Sequence, residues 1–431
     1  MFTLNASGIR RKLLYVTVVF TVVIMLSASV FASNGYFAYG WGTKSKGMAG
    51  VGMAIPLSSL AAASNPAGMV FVGNKTDLSV SLFNPNREYT VIGNPPLPQN
   101  TPPGAFPLMN GTIESGRTSF FIPGFGINRK IDSSSSIGFS LFGNGGMNTE
   151  YDTKTFNNPM VTVTQPTGVN LSQLFAGITY ARKLNDNHAI GITGIAAYQM
   201  FKAQGLQAFA GFSSSPQNLT DNDSNSFGFG ARFGYMGKLS DKFSVGAAYQ
   251  TKLTMGEFEE YAGLFAEQGG FDIPSNWSVG IALNATEQLT LGFDLQTICY
   301  SKIKSIANPM LPNLMMAQLG ADGGPGFGWE DMTVYKFGGQ YMVNSGLTLR
   351  AGYSFGKQPI PESEMMFNIL APGVIEQHIT FGLSKMVGTR EIDFAVMRAL
   401  SSSITGPNAL YTPQNIELKM NQWEFELGIS F

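Results

Sequence analysis

Cysteine, charge and long apolar runs are all scarce in this chain. One cysteine among 431 residues excludes an intramolecular disulfide framework and any multi-cysteine metal site, and leaves Cys299 to pack as a small hydrophobe. Charged residues make up 13%, with Lys+Arg 27 against Asp+Glu 28 and a formal net charge of -1. A face that neutralises several phosphates needs a cationic excess, so nucleic acid is set aside as a partner. After Met25 no stretch offers the ~18 consecutive apolar residues of a membrane-spanning helix. A mean hydropathy of +0.06 is too low for a helical membrane bundle, yet so few charges are unusual for a soluble enzyme of this size. A transmembrane β-barrel reconciles the two, because its strands alternate lipid-facing apolar residues with lumenal polar ones.

What is present fits that class. Arg10, Arg11 and Lys12 precede an apolar run from Leu13 to Met25, and Val30-Phe31-Ala32 has the small-residue spacing of a cleavage site. This reads as an export signal over residues 1–32, cleaved after Ala32, with an uncleaved anchor as the alternative. Two-residue alternation is clearest at the end, where Trp423, Phe425, Leu427, Ile429 and Phe431 alternate with polar residues or glycine. It recurs in Trp277, Val279, Ile281 and Leu283, and in Leu347, Leu349, Ala351, Tyr353 and Phe355. The positions between, among them Lys336, Gln340, Arg350, Ser354, His378 and Thr380, are expected to face the lumen. Short polar links such as Asn185-Asp186-Asn187, Ser240-Asp241 and Gly388-Thr389 alternate with longer segments rich in Pro, Gly and Asn, as in barrels with tight inner turns and long outer loops. About fourteen antiparallel strands are predicted, an even number. They start near Asp77, Ser119, Ser136, Leu171, His188, Ser226, Lys242, Ser275, Leu289, Thr333, Leu347, Ile375, Arg390 and Ile416.

Residues 33–74 do not alternate. Small residues dominate Gly47-Met48-Ala49-Gly50-Val51-Gly52-Met53-Ala54 and Ser58-Ser59-Leu60-Ala61-Ala62-Ala63, which suits compact folding inside a narrow enclosure. A flexible extension is the alternative on composition. The run from Asn34-Gly35-Tyr36 to Asn65-Pro66-Ala67-Gly68 resembles the N-terminal hatch of the FadL/TodX-like outer-membrane transporters of long-chain fatty acids and hydrocarbons, whose hallmark is Asn-Pro-Ala. The run Gly138 to Tyr151, with Gly143-Asn144-Gly145-Gly146 inside it, resembles that family's kinked third strand, and Leu347 to Phe355 followed by Pro359-Ile360-Pro361 is a third match. The resemblance implies an all-β barrel over residues 75–431 in the bacterial outer membrane, plugged by a hatch over 33–74. The ending in Phe431 resembles the signal by which outer-membrane barrels are recognised by the barrel-assembly machinery, and the expected surroundings are lipid and lipopolysaccharide, with a monomeric state and no cofactor, metal or catalytic residue. One departure is the segment Gly211 to Asn225, which is short for the outer loop that helps form the family's capture site.

The function implied is passive uptake of hydrophobic small molecules, long-chain fatty acids first, with aromatic or alkane hydrocarbons as the alternative. Solutes would be captured at external loops, held in an apolar lumenal pocket and released sideways at the kink of Gly143, Asn144, Gly145 and Gly146. Read by residue alone, Asn144-Gly145 is either that kink or a type I′ hairpin turn. Candidate capture residues are Leu264, Phe265, Met315, Met316, Met366 and Phe367, from apolar loop segments where thioethers adapt to varied ligands. Arg350 and Lys202 are candidate cations for a carboxylate head. A general porin would have an open polar lumen. A lipid hydrolase would need an activated serine beside His188 or His378, the two histidines of the chain.

Overall fold

The computed structural model describes residues 34–96, 100–102, 105–157 and 161–431, so the expected export signal lies outside the described residues. Fourteen antiparallel strands follow one another: β1 (Lys75–Ile92), β2 (Phe120–Lys130), β3 (Ser135–Glu150), β4 (Gly168–Lys183), β5 (His188–Gln204), β6 (Asp223–Lys238) and β7 (Phe243–Gln250). The second half is β8 (Asn276–Asn284), β9 (Leu289–Ile298), β10 (Met332–Asn344), β11 (Leu347–Phe355), β12 (Gln377–Val387), β13 (Arg390–Pro407) and β14 (Asn415–Ser430). Each strand pairs with its neighbours in sequence, and β14 returns to β1 from Asp77 opposite Ser430 to Ile92 opposite Asn415. The sheet is therefore a closed barrel. Two short strands, Gly111–Glu114 beside β1 and Thr254–Met255 beside β6, extend the wall at one end. Expected strand starts are displaced by up to three residues, as for Leu171 against Gly168 and Ser226 against Asp223. Among the described residues no helix is long and apolar enough to cross a membrane.

Alternation decides which way each side chain faces. On β8, Trp277, Val279 and Ile281 are exposed while Ser278, Gly280 and Ala282 are buried. On β14 the outward set is Trp423, Phe425 and Leu427, and Phe431 closes the same rim by exchanging backbone hydrogen bonds with Thr76. One end of the barrel is joined by short turns such as residues 184–187, 239–242 and 388–389, the other by long connections such as 205–222, 251–275, 299–331 and 356–376.

The inward face changes character along its length. From the short-turn end of β14 it reads Ser430, Glu426, Glu424 and Gln422, and then Met420, Leu418 and Ile416. On β1 it reads Asp77 and Ser81, and then Phe83, Arg87, Tyr89 and Val91. The lumen is thus ionic at the short-turn end and apolar toward the long loops.

Residues 39–73 sit inside the ionic half, and Tyr36 and Phe37 before them reach the aromatic zone beneath the long loops. Their turns are short: Thr43–Lys46, Ser59–Ala63 capped by Ser58, Pro66–Gly68 capped by Asn65, and Met69–Val72. A segment of this kind cannot bury its own backbone polar groups, and the barrel wall satisfies them instead. Asp294 of β9 accepts from Gly52 N at 2.8 Å and Met53 N at 3.0 Å, Asp77 accepts from Ser59 N at 2.7 Å, and Thr380 accepts from Ala49 N at 2.8 Å. The Asn65 side chain accepts from Ala67 N at 3.1 Å and donates to Met53 O and Tyr235 O, both at 2.8 Å. Wall glycines make room for this turn: a Cβ on Gly234 would stand 2.2 Å from Asn65 Oδ1, and one on Gly191 2.5 Å from Pro66 C.

Candidate functional site

The wall is interrupted at β3. Pairing of β2 with β3 stops at Gly124 opposite Phe142. On its other edge β3 stays paired with β4 through Glu150, with one shift between Gly143 and Gly145 that leaves Asn144 as the extra residue. Such a bulge bends its strand. Asn144-Gly145 is therefore a kink within one continuous strand, and the hairpin alternative does not hold.

The edge that β2 abandons is not left unpaired. Residues 36–41 of the plug take it: Ala38 N donates to Asn144 O at 2.8 Å, Gly146 N donates to Tyr36 O at 3.0 Å, and Trp41 Nε1 donates to Gly143 O at 3.3 Å. Phe37 and Gly145 form an antiparallel bridge. The approach is so close that a Cβ on Gly145 would lie 1.7 Å from Tyr36 O. Behind this latch Tyr36 is boxed by Tyr300, Trp329 and Phe271, with ring centroids 5.2, 6.0 and 6.2 Å away. Nothing in residues 34–38 alone advertises this pairing, since its partner lies about a hundred residues further on and only the folded barrel brings the two together.

Above the latch the long connections fold inward over the mouth. They form an apolar pocket lined by Val169, Phe201, Phe209, Leu264, Phe265 and Phe367 among others. Among the described residues no charged side chain lines it. Phe201 and Phe265 pack at 4.8 Å between centroids, and Phe209 and Phe367 meet edge to face at 5.4 Å. Glu364 stands behind the loop, accepting from Met310 N at 2.7 Å, and burial pushes its carboxyl above the usual carboxylate range. Cys299, at the end of β9, is half-buried, and burial likewise raises its thiol.

The sequence candidates fall into separate places. Leu264, Phe265 and Phe367 line the pocket, and Met366 is buried beside Phe367 in the same turn. Met315 and Met316 do not line it; they are 64% and 72% exposed, while Leu314 and Met310 of the same stretch turn inward. Lys202 corrects the expectation of a lumenal cation: its neighbours Phe201 and Ala203 are buried, so Lys202 points outward, 3.3 Å from Asp223. Arg350 does face inward, but in the ionic half, donating to Ser384 Oγ at 2.5 Å and packed beside Gly47. Neither cation reaches the apolar pocket.

The ionic half holds the plug in place. Lys46 Nζ lies 2.5 Å from Glu424 and 2.5 Å from Glu426, and donates to Ser81 Oγ at 2.9 Å. Thr43 donates to Glu426 at 2.7 Å, Lys44 pairs with Glu391, and Lys336 donates to Tyr39 O at 2.8 Å. Nearby, Ser354 Oγ is 3.0 Å from His378 Nδ1, with Tyr39 stacked on the imidazole at 5.7 Å. Serine and histidine are both fully buried and His378 Nε2 has no hydrogen-bond partner among the described residues, so no orienting acid completes a triad.

A closed fourteen-stranded barrel with its lumen stoppered by its own N-terminal segment narrows the comparison, and the family described as "Outer membrane protein transport protein (OMPP1/FadL/TodX)" matches residues 20–395. The chain belongs to that family. This FadL/TodX-family barrel is an outer-membrane transport protein for hydrophobic compounds, from a family of channels rather than enzymes. Solved structures share its fold at low identity. A FadL homologue of Pseudomonas aeruginosa superposes with a TM-score of 0.69 at 17% identity, covering 92% of this chain and 99% of the other. The toluene transporter TodX of P. putida gives 0.67 at 20%, covering 91% and 98%, and the toluene transporter TbuX of Ralstonia pickettii 0.61 at 18%, also 91% and 98%. No curated protein matches. In the outer membrane the exposed band faces lipid, and Ile281→Arg is expected to destabilise the family member by up to ~2–4 kcal/mol, depending on depth. Denaturant unfolding from lipid vesicles measures it; a cost near zero would place Ile281 outside the hydrocarbon layer.

Proposed function

We propose that the protein takes up neutral hydrophobic molecules, capturing them in the apolar loop pocket and releasing them sideways through the gap beside β3 when residues 36–38 let go of it. Desolvating an alkyl or aryl group is favourable by ~0.8 kcal/mol per buried CH₂, so such a solute gains by leaving water for Phe201, Phe265 and Phe367. The ionic floor below offers it nothing. The observation that carries the reading is that Gly143, Asn144 and Gly146 hydrogen-bond the plug instead of β2, so the barrel wall there is held by a removable segment. Long-chain fatty acids are the less favoured solute, because Lys202 and Arg350, the cations expected to hold a carboxylate, both stand away from the pocket. Toluene is what two of the similar structures are named for carrying.

Deleting Asn144 tests the sideways route. It removes the bulge, puts Gly143 and Gly145 in unbroken register with Leu174 and Gln173, and lets the outer half of β3 rejoin β2. Uptake of toluene by intact cells is expected to fall at least about tenfold, ~1.4 kcal/mol in the passage barrier, while the purified variant still migrates as a heat-modifiable barrel. Undiminished uptake by that folded variant would show that solute leaves by another path.

A further inference from the structure

The outer surface of the barrel carries a groove of about 250 Å³ where β4, β5 and β6 approach the long loops. The side chains that point outward there stand in rows across the three strands. Asn170, Lys202 and Asp223 form the row nearest the loops, Ser172, Met200 and Asn225 the next, and Leu174, Tyr198 and Phe227 the third. Below these come Ala176, Ala196 and Phe229, and then Ile178, Gly194 and Ala231. The wall thus turns from polar to apolar within the groove, with the Tyr198 and Phe227 rings 4.6 Å apart at the change. Barrels of this kind turn their long loops outward, so the groove lies where the head groups of the outer leaflet give way to their acyl chains.

Two polar side chains in the groove are open to a ligand. Ser172 forms its floor: it points outward, yet it is only 4% exposed, and its hydroxyl makes no hydrogen bond among the described residues. A polar group at that depth asks for a partner. Lys202 lies 3.3 Å from Asp223, whose side chain is 85% exposed. An exposed ion pair of that kind is worth little, so a phosphate, which binds an ammonium through charge-assisted hydrogen bonds, displaces Asp223 from it.

We infer that this groove holds one molecule of lipid A, the phosphorylated and acylated sugar of lipopolysaccharide. Lys202 takes a phosphate, and Ser172 and Asn225 hydrogen-bond the hydroxyl and amide groups of the sugar. An acyl chain lies along the shallow strip that Ala196 and Gly194 leave between Ile178 and Phe229, where even a Cβ on Gly194 would meet nothing within 4 Å. A glycerophospholipid brings the phosphate and the chains but no sugar for Ser172 and Asn225. A hydrocarbon meets none of the polar residues. Asp223 opposes the phosphate and is the residue that limits affinity. The site faces the membrane and not the lumen, so it stands whether or not the uptake route does.

Native mass spectrometry of the delipidated full barrel in detergent, titrated with diphosphoryl lipid A or with phosphatidylglycerol, tests the assignment. The first lipid A is expected to bind at least about tenfold tighter than phosphatidylglycerol. Lys202→Gln should weaken it by about tenfold, the size of a hydrogen bond to a charged group, whereas Asp223→Asn should tighten it. Ser172→Leu, which fills the floor, should remove the preference for lipid A over phosphatidylglycerol. Heat-modifiable migration shows that each variant is a folded barrel. Opposite signs for the two charge variants are the signature of a phosphate at Lys202. If those variants leave lipid A binding unchanged or shift it the same way, or if phosphatidylglycerol binds the wild type as tightly as lipid A, the groove is ordinary lipid-covered wall and the assignment is wrong.

Discussion

Lys46→Met is expected to free the plug from a barrel that stays closed. Lys46 is the shared counter-ion of Glu424 and Glu426, two residues apart on the inner face of β14, and all three are buried. Methionine keeps the length of the side chain and removes the charge, which leaves two carboxylates facing each other out of water. Breaking a buried pair by deleting one partner costs about 3–5 kcal/mol, more than a hundredfold in the ratio of docked to undocked plug at ~1.4 kcal/mol per tenfold. The strand ladder from β1 to β14 closes without any contribution from residues 34–73, so the strain is relieved by the plug leaving rather than by unfolding. Planar-bilayer recordings should show large steady ion currents where the wild type is nearly silent, with the β-sheet circular dichroism unchanged. Adding Glu424→Gln and Glu426→Gln to Lys46→Met should restore silence. A silent single variant would mean that the remaining tethers, from Asp294, Asp77 and Lys336, suffice to hold the plug.

Gly145→Val acts on the latch alone. Its Cβ would occupy the place of Tyr36 O, so either the plug strand or β3 must move. β3 is held to β4 by backbone pairing from Ser135 to Glu150, whereas Tyr36 to Ala38 meet β3 through the bridge at Gly145 and two hydrogen bonds. The plug strand is the weaker partner. Two net hydrogen bonds, each ~0.5–1.5 kcal/mol, are lost, and toluene uptake at limiting concentration should rise by roughly tenfold, the size of ~1.4 kcal/mol. The opposite sign, a fall in uptake with the barrel intact, would mean that release depends on those contacts instead of being restrained by them.

Much of the barrel was legible because its two faces differ in polarity. Where the lumen is ionic, Glu424 and Glu426 against Phe425 and Leu427 leave no doubt about orientation. Toward the long loops the lumen itself becomes apolar and the signal fades. On β5, Phe201 faces in and Met200 faces out, both hydrophobic, so polarity does not distinguish the faces and Lys202 reads as lumenal in the sequence although it points outward. The loops gave a weaker reading still. In the short turn Asn313–Met316, Leu314 turns inward and Met315 outward, and four residues carry too little periodicity to separate them.

The graded lining has a bearing on solutes the barrel does not carry. A sugar or an inorganic ion travelling down the axis would meet its solvation barrier at the entrance, among phenylalanines, and a hydrocarbon would meet its own at the bottom, among paired charges. With the plug seated no chemical class finds the whole axis welcoming, so the barrel refuses straight-through traffic by partitioning as well as by obstruction, and a departing plug lifts both, because it takes Tyr36 out of the ring of Phe271, Tyr300 and Trp329.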